Sequence, residues 1–401
     1  MATGTDEWNS YHKIVKMNRI LKYMFVLLAF AVASCEKPSP EPTTDIELIP
    51  EAGYIRFSTG VATKSPLIEN LRGKSFGVFG YQYGYSTKWE VARPTARPEV
   101  FHNLTVSCAE TNGSCSYDLD PSQPENQLKP WELSQKYSFF AYYPMVADGN
   151  GISVSGSNDV NMPTVTYNLP LKSGKENEDD EDYEEVDPDD LQDLMTAYAI
   201  DKTAYDGFVG FTFQHRLFCV EVLAQNFNKD IIETIEGQQI TLEADEVISD
   251  VTLTIDNLAY QSITVPMVKD DSAPVKVANS YGPVTFRIMG PDKSITIPSQ
   301  EGGNTTPISL SRVKESEESE SYDENFVMLV PQDATVTPMT GYLTFRLNGS
   351  TELITRTFTT DLNFQEGKKY TVVLSFTGKT VLIAIAEAGS WEPYSVPYEF
   401  E

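Results

Sequence analysis

The groups with which this 401-residue chain could do chemistry are three histidines, four cysteines and a large excess of carboxylates. None of His12, His102 and His215 stands in an HExxH pattern, and no GxSxG, P-loop or dinucleotide-binding glycine motif occurs. Glycoside cleavage needs two carboxyl groups facing each other a few ångströms apart. Here the acids gather in polar runs rather than at isolated apolar positions. His215 lies in FTFQHRLFC and shares a strand face with Phe213 and Leu217, which reads as a hydrogen-bonded structural histidine. The chemistry-bearing residues therefore describe a protein that is not an enzyme and has no cofactor. Cys108 and Cys115 bracket AETNGS, a turn-like segment. Either they form a local disulfide, contributing roughly 2–3 kcal/mol, or they remain two thiols. No second cysteine pair or histidine pair stands near them, so the reading includes no metal site. Cys219, in an apolar strand, reads as a small core residue.

Cys35 is different, because its setting specifies a covalent modification. Residues 17–35 read MNRILKYMFVLLAFAVASC. Arg19 and Lys22 supply a positive start, and Tyr23 to Ala33 an apolar stretch too short to span a bilayer. Val32-Ala33-Ser34-Cys35 resembles a bacterial lipobox, in which the cysteine thiol takes a diacylglycerol and becomes residue one after cleavage. Two or three acyl chains anchor durably where one does not. Residues 1–34 are thus read as a signal peptide with an N-terminal extension. Residues 35–52 are rich in proline and polar groups, and are read as a lipidated, extended tether. The expected location is the outer membrane and cell surface.

The elements that must position these groups are strands. Long helical periodicity is nearly absent, and period-two segments recur between Gly, Pro, Asn and Asp. The first is GYIRFSTG (53–60). SFGVFGYQY (75–83), YSFFAYYP (137–144) and GFVGFTFQHRLFCVEVL (207–223) follow, and KYTVVLSF (369–376) and TVLIAIA (380–386) come last. In the 207–223 run the alternation changes phase near Phe218, which predicts a bulge or twist. Many short strands with turn signals point to an all-β chain of sandwich domains, one over 53–206 and one over 207–401. The acidic runs 175–193 and 314–324 read as solvated loops. Formal net charge is −28, and about −30 without residues 1–34, which excludes nucleic acid as a partner.

The ordered set of strand sequences resembles a family. YIRFSTGVATKSP, SFGVFGY, YSFFAYYP, DLMTA, VGFTFQHRLFCVEV, VMLVPQ, GKKYTVVLSF and the late Trp391 follow the lipobox in the order seen in the fimbrillin family of Bacteroidales. That resemblance implies two transthyretin-like β-sandwich domains in tandem. It implies a structural or adhesive subunit of type V fimbriae, or an accessory surface adhesin. In such assembly a protease removes the N-terminal strand, and an extended segment of another subunit replaces it by β-strand addition. The partners implied are other fimbrial subunits, the outer membrane through the lipid, and a host or bacterial surface ligand.

Family processing follows an arginine in a segment resembling FSTGVATKSPL, and here the matching position carries Lys64, which suits a trypsin-like protease. The candidate leaving strand is 53–60, centred on Tyr54, Ile55 and Phe57. The candidate donor is the C-terminal segment from Thr380, with Val381, Leu382, Ile383, Ala384 and Ile385 apolar on both faces. Equally, this segment reads as the last strand of the second sandwich. Asp271-Ser272-Ala273 resembles the Bacteroidetes O-glycosylation sequon, with Ser272 as acceptor. The alternative function is a surface glycan-binding lipoprotein, with Tyr83, Tyr85 and Trp89 stacking on sugars; these aromatics read more readily as core or edge residues.

Overall fold

In a computed structural model of the chain, the described residues are 53–61, 71–117, 127–145, 151–155, 163–174, 183–187, 190–235, 238–242, 244–267, 274–278, 283–299, 306–314, 322–333, 338–377 and 380–390. Almost all regular structure among them is strand. Eleven strands come from the first half of the chain: β1 (Arg56–Val61), β2 (Ser75–Gly84), β3 (Phe101–Cys108), β4 (Cys115–Ser116), β5 (Gln135–Tyr143), β6 (Ile152–Ser155), β7 (Thr164–Asn168), β8 (Leu171–Gly174), β9 (Tyr183–Val186), β10 (Met195–Lys202) and β11 (Phe208–His215).

Seven of these close on themselves in the order β1-β11-β10-β5-β2-β3-β4. Closure follows from side-chain alternation. On β5, Tyr137, Phe139, Ala141 and Tyr143 point into the barrel with Phe76, Val78, Val106, Val209, Phe211 and Phe213. The residues between them, Phe140 and Tyr142, join Phe79, Tyr81 and Trp89 in a second core outside the barrel wall. β2 and β5 are therefore buried on both faces, which is why their sequences are apolar almost throughout. Gly77 is required where β2 pairs with β5, because the Tyr142 ring lies where a Cβ would stand.

The second half supplies β12 (Phe218–Asn226), β13 (Ile231–Ile235), β14 (Gln238–Leu242), β15 (Glu246–Ile255), β16 (Tyr260–Pro266), β17 (Val275–Ala278), β18 (Val284–Ile297), β19 (Ile308–Ser309), β20 (Arg312–Lys314), β21 (Tyr322–Glu324), β22 (Val327–Leu329), β23 (Met339–Leu347), β24 (Ile354–Thr360), β25 (Lys368–Thr377) and β26 (Thr380–Ser390). One sheet runs β19-β12-β25-β26, with β22 also on β12. A second runs β24-β23-β15-β18-β9-β8 and a third β17-β16-β7-β6. β25 alternates as its sequence indicates, with Tyr370, Val372, Leu374 and Phe376 buried and Thr371, Val373 and Ser375 half-buried between them.

Strands β6 to β9 come from the first half but join the sheets of the second, through β7 on β16 and β9 on β18. Residues 51–401 form one compact unit. The barrel's chain also runs past residue 206, since β11 closes it.

Two expectations about loops need correction. The phase change near Phe218 is not a bulge: β11 ends at His215, and β12 begins at Phe218 in a different sheet. The acidic runs are not loops throughout. Tyr183–Val186 pairs with β8 and β18, and Arg312–Lys314 pairs with Tyr322–Glu324. Each strand takes acids of a run and sets them against cations, Glu185 near Arg287 and Glu324 beside Arg312 at 3.1 Å.

Candidate strand-exchange site

β1 lies in a slot with two unlike walls. On one side it runs parallel to β11 in unbroken register, from Arg56 opposite Phe208 to Val61 opposite Phe213. The other wall is short and composite. Phe57 pairs with Cys115 of β4, and Tyr54 bridges Pro130. The Ile55 N–H donates to the Lys129 carbonyl at 2.8 Å, and the Trp131 N–H donates to the Gly53 carbonyl at 2.9 Å. Tyr117 completes this wall: its hydroxyl donates to the Ile55 carbonyl at 2.9 Å and accepts from the Lys129 N–H at 3.0 Å.

The strand is held by its inward side chains as well as its backbone. Alternation turns Ile55 and Phe57 inward and Tyr54, Arg56 and Ser58 outward. Phe57 is 2% exposed. Its ring meets Phe101, Tyr117 and Phe139 at 5.7–5.8 Å and stacks on Phe211 at 5.5 Å. Burying Ile55 and Phe57 contributes about 1.5–3 kcal/mol each. An extended segment with large apolar residues at every second position is what the slot accommodates.

The wall carrying β4 is tied to the barrel by a disulfide between Cys108 and Cys115. The hairpin between them turns at Asn112-Gly113. The Asn112 side chain accepts from the Ser114 N–H at 3.0 Å and the Ser114 hydroxyl at 2.8 Å, and Gly113 takes the left-handed φ of 70°.

At its far end β11 leaves the barrel through Arg216 and Leu217 to become β12, and buried polar groups line this passage. His215 Nδ1 and Asp193 Oδ1 are 2.9 Å apart, both side chains buried. Arg216 Nε donates to Thr196 Oγ1 at 2.6 Å, and its Nη1 meets Glu366 at 3.1 Å. Lys369 Nζ stands 2.5 Å from Glu221 Oε2, and the Ser309 hydroxyl donates to Glu221 Oε1 at 2.8 Å. Cys219 is buried between these groups, and burial pushes its thiol up.

The remaining sequence candidates fall as follows. Cys35, Lys64 and Ser272 lie outside the described residues, as do residues 1–34 and the tether 35–52. Val381, Leu382, Ile383, Ala384 and Ile385 form the start of β26, paired antiparallel with β25 at the edge of its sheet. Val381 is buried and Ile383 and Ile385 are half-buried, whereas Leu382 is 55% exposed. Arg356 Nε donates to the Val381 carbonyl at 3.0 Å. Tyr83, Tyr85 and Trp89 do not make an exposed aromatic platform. Tyr83 (9% exposed) and Trp89 (2%) are core residues, and Tyr85 alone reaches the surface. The Tyr83 hydroxyl donates to Asp201 at 2.7 Å, and the Trp89 ring packs on Tyr81 and Phe140. Sequence reasoning missed Tyr117 and the 129–131 segment. The one local signal for the 129–131 segment is Pro130 and the aromatic Trp131 after a polar run.

The sequence profile described as Fimbrillin-like matches residues 70–391. No curated protein matches. Among solved structures, a fimbrial protein from Bacteroides vulgatus ATCC 8482 is similar at 16% identity and a TM-score of 0.48, over 84% of this chain and 99% of that one. A candidate cell adhesion protein from Bacteroides ovatus ATCC 8483 is similar at 16% identity and a TM-score of 0.46, over 85% and 98%. One from Bacteroides uniformis ATCC 8492 is similar at 15% identity and a TM-score of 0.45, over 85% and 99%. With the profile matching from before β2 to just beyond β26, the chain belongs to the fimbrillin-like family.

Proposed function

We propose that this protein is a structural or adhesive subunit of cell-surface fimbriae, exported as a lipoprotein through Cys35 and assembled by exchange of β1 for an extended segment of another subunit. Family membership supports the surface and fimbrial part of this reading. The observation that carries the exchange step is the slot of β1. A strand at the N-terminal border of the described chain completes a closed barrel, with Phe57 seated among four aromatic rings. Its loss leaves the backbone groups of β11 and an apolar groove unsatisfied, the conditions under which a foreign strand adds.

In this reading Lys64, three residues beyond β1, is the processing position, and the barrel and the sheets of the second half correspond to the two tandem sandwich domains of the family. The donor is the C-terminal segment beginning at Thr380, and its use requires β26 to leave β25. Ser272 is the glycan acceptor, which mass spectrometry of the exported protein would detect.

The test is limited digestion of lipid-free protein with a trypsin-like protease. The expected result is cleavage after Lys64, loss of residues 53–64 from the folded barrel and a ladder of multimers, all blocked by Lys64→Ala. Cleavage at that bond with β1 retained and the protein monomeric at high concentration would end the exchange reading.

A further inference from the structure

We propose that the Cys108–Cys115 disulfide and Tyr117 are positioning residues of the strand slot, keeping its second wall in place while the slot is empty; this rests on the exchange reading above. β11 needs no such help. It is bonded to β10 on one side, continues into the central strand β12, and keeps those links when β1 leaves. The opposite wall is poorly supported. β4 is two residues long and pairs with β3 only at Ser116 opposite Ser107 and Cys115 opposite Cys108. On its other side β4 pairs with β1 alone.

Tyr117 follows β4 directly, and its hydroxyl joins the wall's two pieces, since it takes the Lys129 N–H while giving its proton to Ile55. Departure of β1 removes both the Phe57–Cys115 pairing and the Ile55 acceptor. Among the contacts that remain at residues 115–117 are the short pairing with β3, the hairpin turn, the Lys129 N–H bond to Tyr117, the buried Tyr117 ring against Phe101 at 5.1 Å, and the disulfide. The disulfide is the one covalent link among these, and it acts at the residue that pairs with the strand. Cys115 is also the partner of Thr59, whose hydroxyl lies 3.7 Å from its sulfur.

It follows that the disulfide matters little while β1 is in place and much once it has gone. Its role is in strand capture more than in the stability of the resting subunit. A disulfide that merely stapled the fold would show the reverse ordering.

The experiment compares wild type with Cys108→Ala/Cys115→Ala, each as the full chain. After cleavage at Lys64, binding of a labelled peptide of residues 53–61 is measured by fluorescence anisotropy. The expected result is tight capture by wild type and at least tenfold weaker capture by the double variant and by wild type under reductant. Equal capture would overturn the proposal. Absence of capture by cleaved wild type would instead remove the exchange reading. Hydrogen exchange on the cleaved proteins, before any peptide is added, then judges the empty wall by itself. The amides of Cys115, Ser116 and Tyr117 should exchange at least tenfold faster in the double variant, while those of β2 and β5 are unchanged. Unchanged exchange at 115–117 would overturn the proposal. Tyr117→Phe keeps the ring and removes the hydroxyl. It should weaken peptide capture while leaving the thermal midpoint of the uncleaved protein within a few degrees.

Discussion

Phe57 lies parallel to Phe211, ring centroids 5.5 Å apart and planes at 15°, across two strands that run in the same direction. The contact joins the first described strand of the barrel to the strand that leads into the second half, and it makes Phe57 the single most consequential side chain of β1. Phe57→Ala should cost about 3–5 kcal/mol at this site, because a large cavity opens among rings that cannot collapse into it. On the exchange reading β1 opens without the rest of the fold, so the loss should appear as faster exchange at Ile55 to Val61 and faster release of the strand after cleavage. The unfolding midpoint in urea should shift less than the full cost implies.

A second prediction concerns Gly77. Its Cβ direction is filled by the Tyr142 ring, which is held by a 2.7 Å bond from its hydroxyl to Asn103. Gly77→Ala should therefore destabilise the chain by about 1–3 kcal/mol despite the higher strand preference of alanine. Gly84→Ala, at the end of the same strand, meets only the Thr87 side chain at 3.6 Å and should stay near neutral. Denaturant curves of the two variants make the comparison.

The Lys369–Glu221 pair is nearly removed from water, with side-chain exposures of 3% and 6%. Lys369→Met leaves a buried carboxylate without its cation and should cost about 3–5 kcal/mol. Combining it with Glu221→Gln, which retains an acceptor for Ser309, should recover much of that loss. A double-mutant cycle measures the coupling, and additive losses would show that the pair is not coupled.

Alkaline pH should unfold the protein cooperatively. Burial pushes the Tyr143 hydroxyl up to about 12, and burial also raises those of Tyr81, Tyr83 and Tyr167. A phenol whose pKa is raised by folding stabilises the fold fully below its unfolded pKa of about 10, and that contribution fades as pH rises toward the folded value. The expected observation is a tyrosinate absorbance step above pH 10 that coincides with loss of the near-UV circular dichroism signal. Independent, non-cooperative titration of these tyrosines would contradict it.

Much of this was legible in the sequence, and the rest was not for physical reasons. Period-two burial places Val209, Phe211 and Phe213 on one face, and Tyr370, Val372, Leu374 and Phe376 on another, as their alternation indicates. The inward positions of Ile55 and Phe57 follow from the same rule. Alternation names a strand's faces and says nothing of its neighbour, so the parallel pairing of β1 with β11 carries no local signal. β6, β7 and β9 were missed because they are four or five residues long and rich in Ser, Thr and Glu, with a composition like that of loops. Trp89 and Tyr83 admit two readings from sequence, an exposed platform or core residues, and the core reading holds because the outer face of β2 is covered by a second core.

The parallel pairing also fixes an order of events. Arg56 and Phe208 are neighbours in the barrel but lie roughly 150 residues apart along the chain, a separation that makes their contact slow to form. During synthesis from the N-terminus, β1 emerges before β11 and lacks its long parallel partner until that strand has followed. Seating β1 is thus the closing act of folding the barrel. A strand that docks last can leave with the least disturbance to what formed before it, so on the exchange reading the route by which the monomer matures, run backward over its final step, is the route by which its groove reopens.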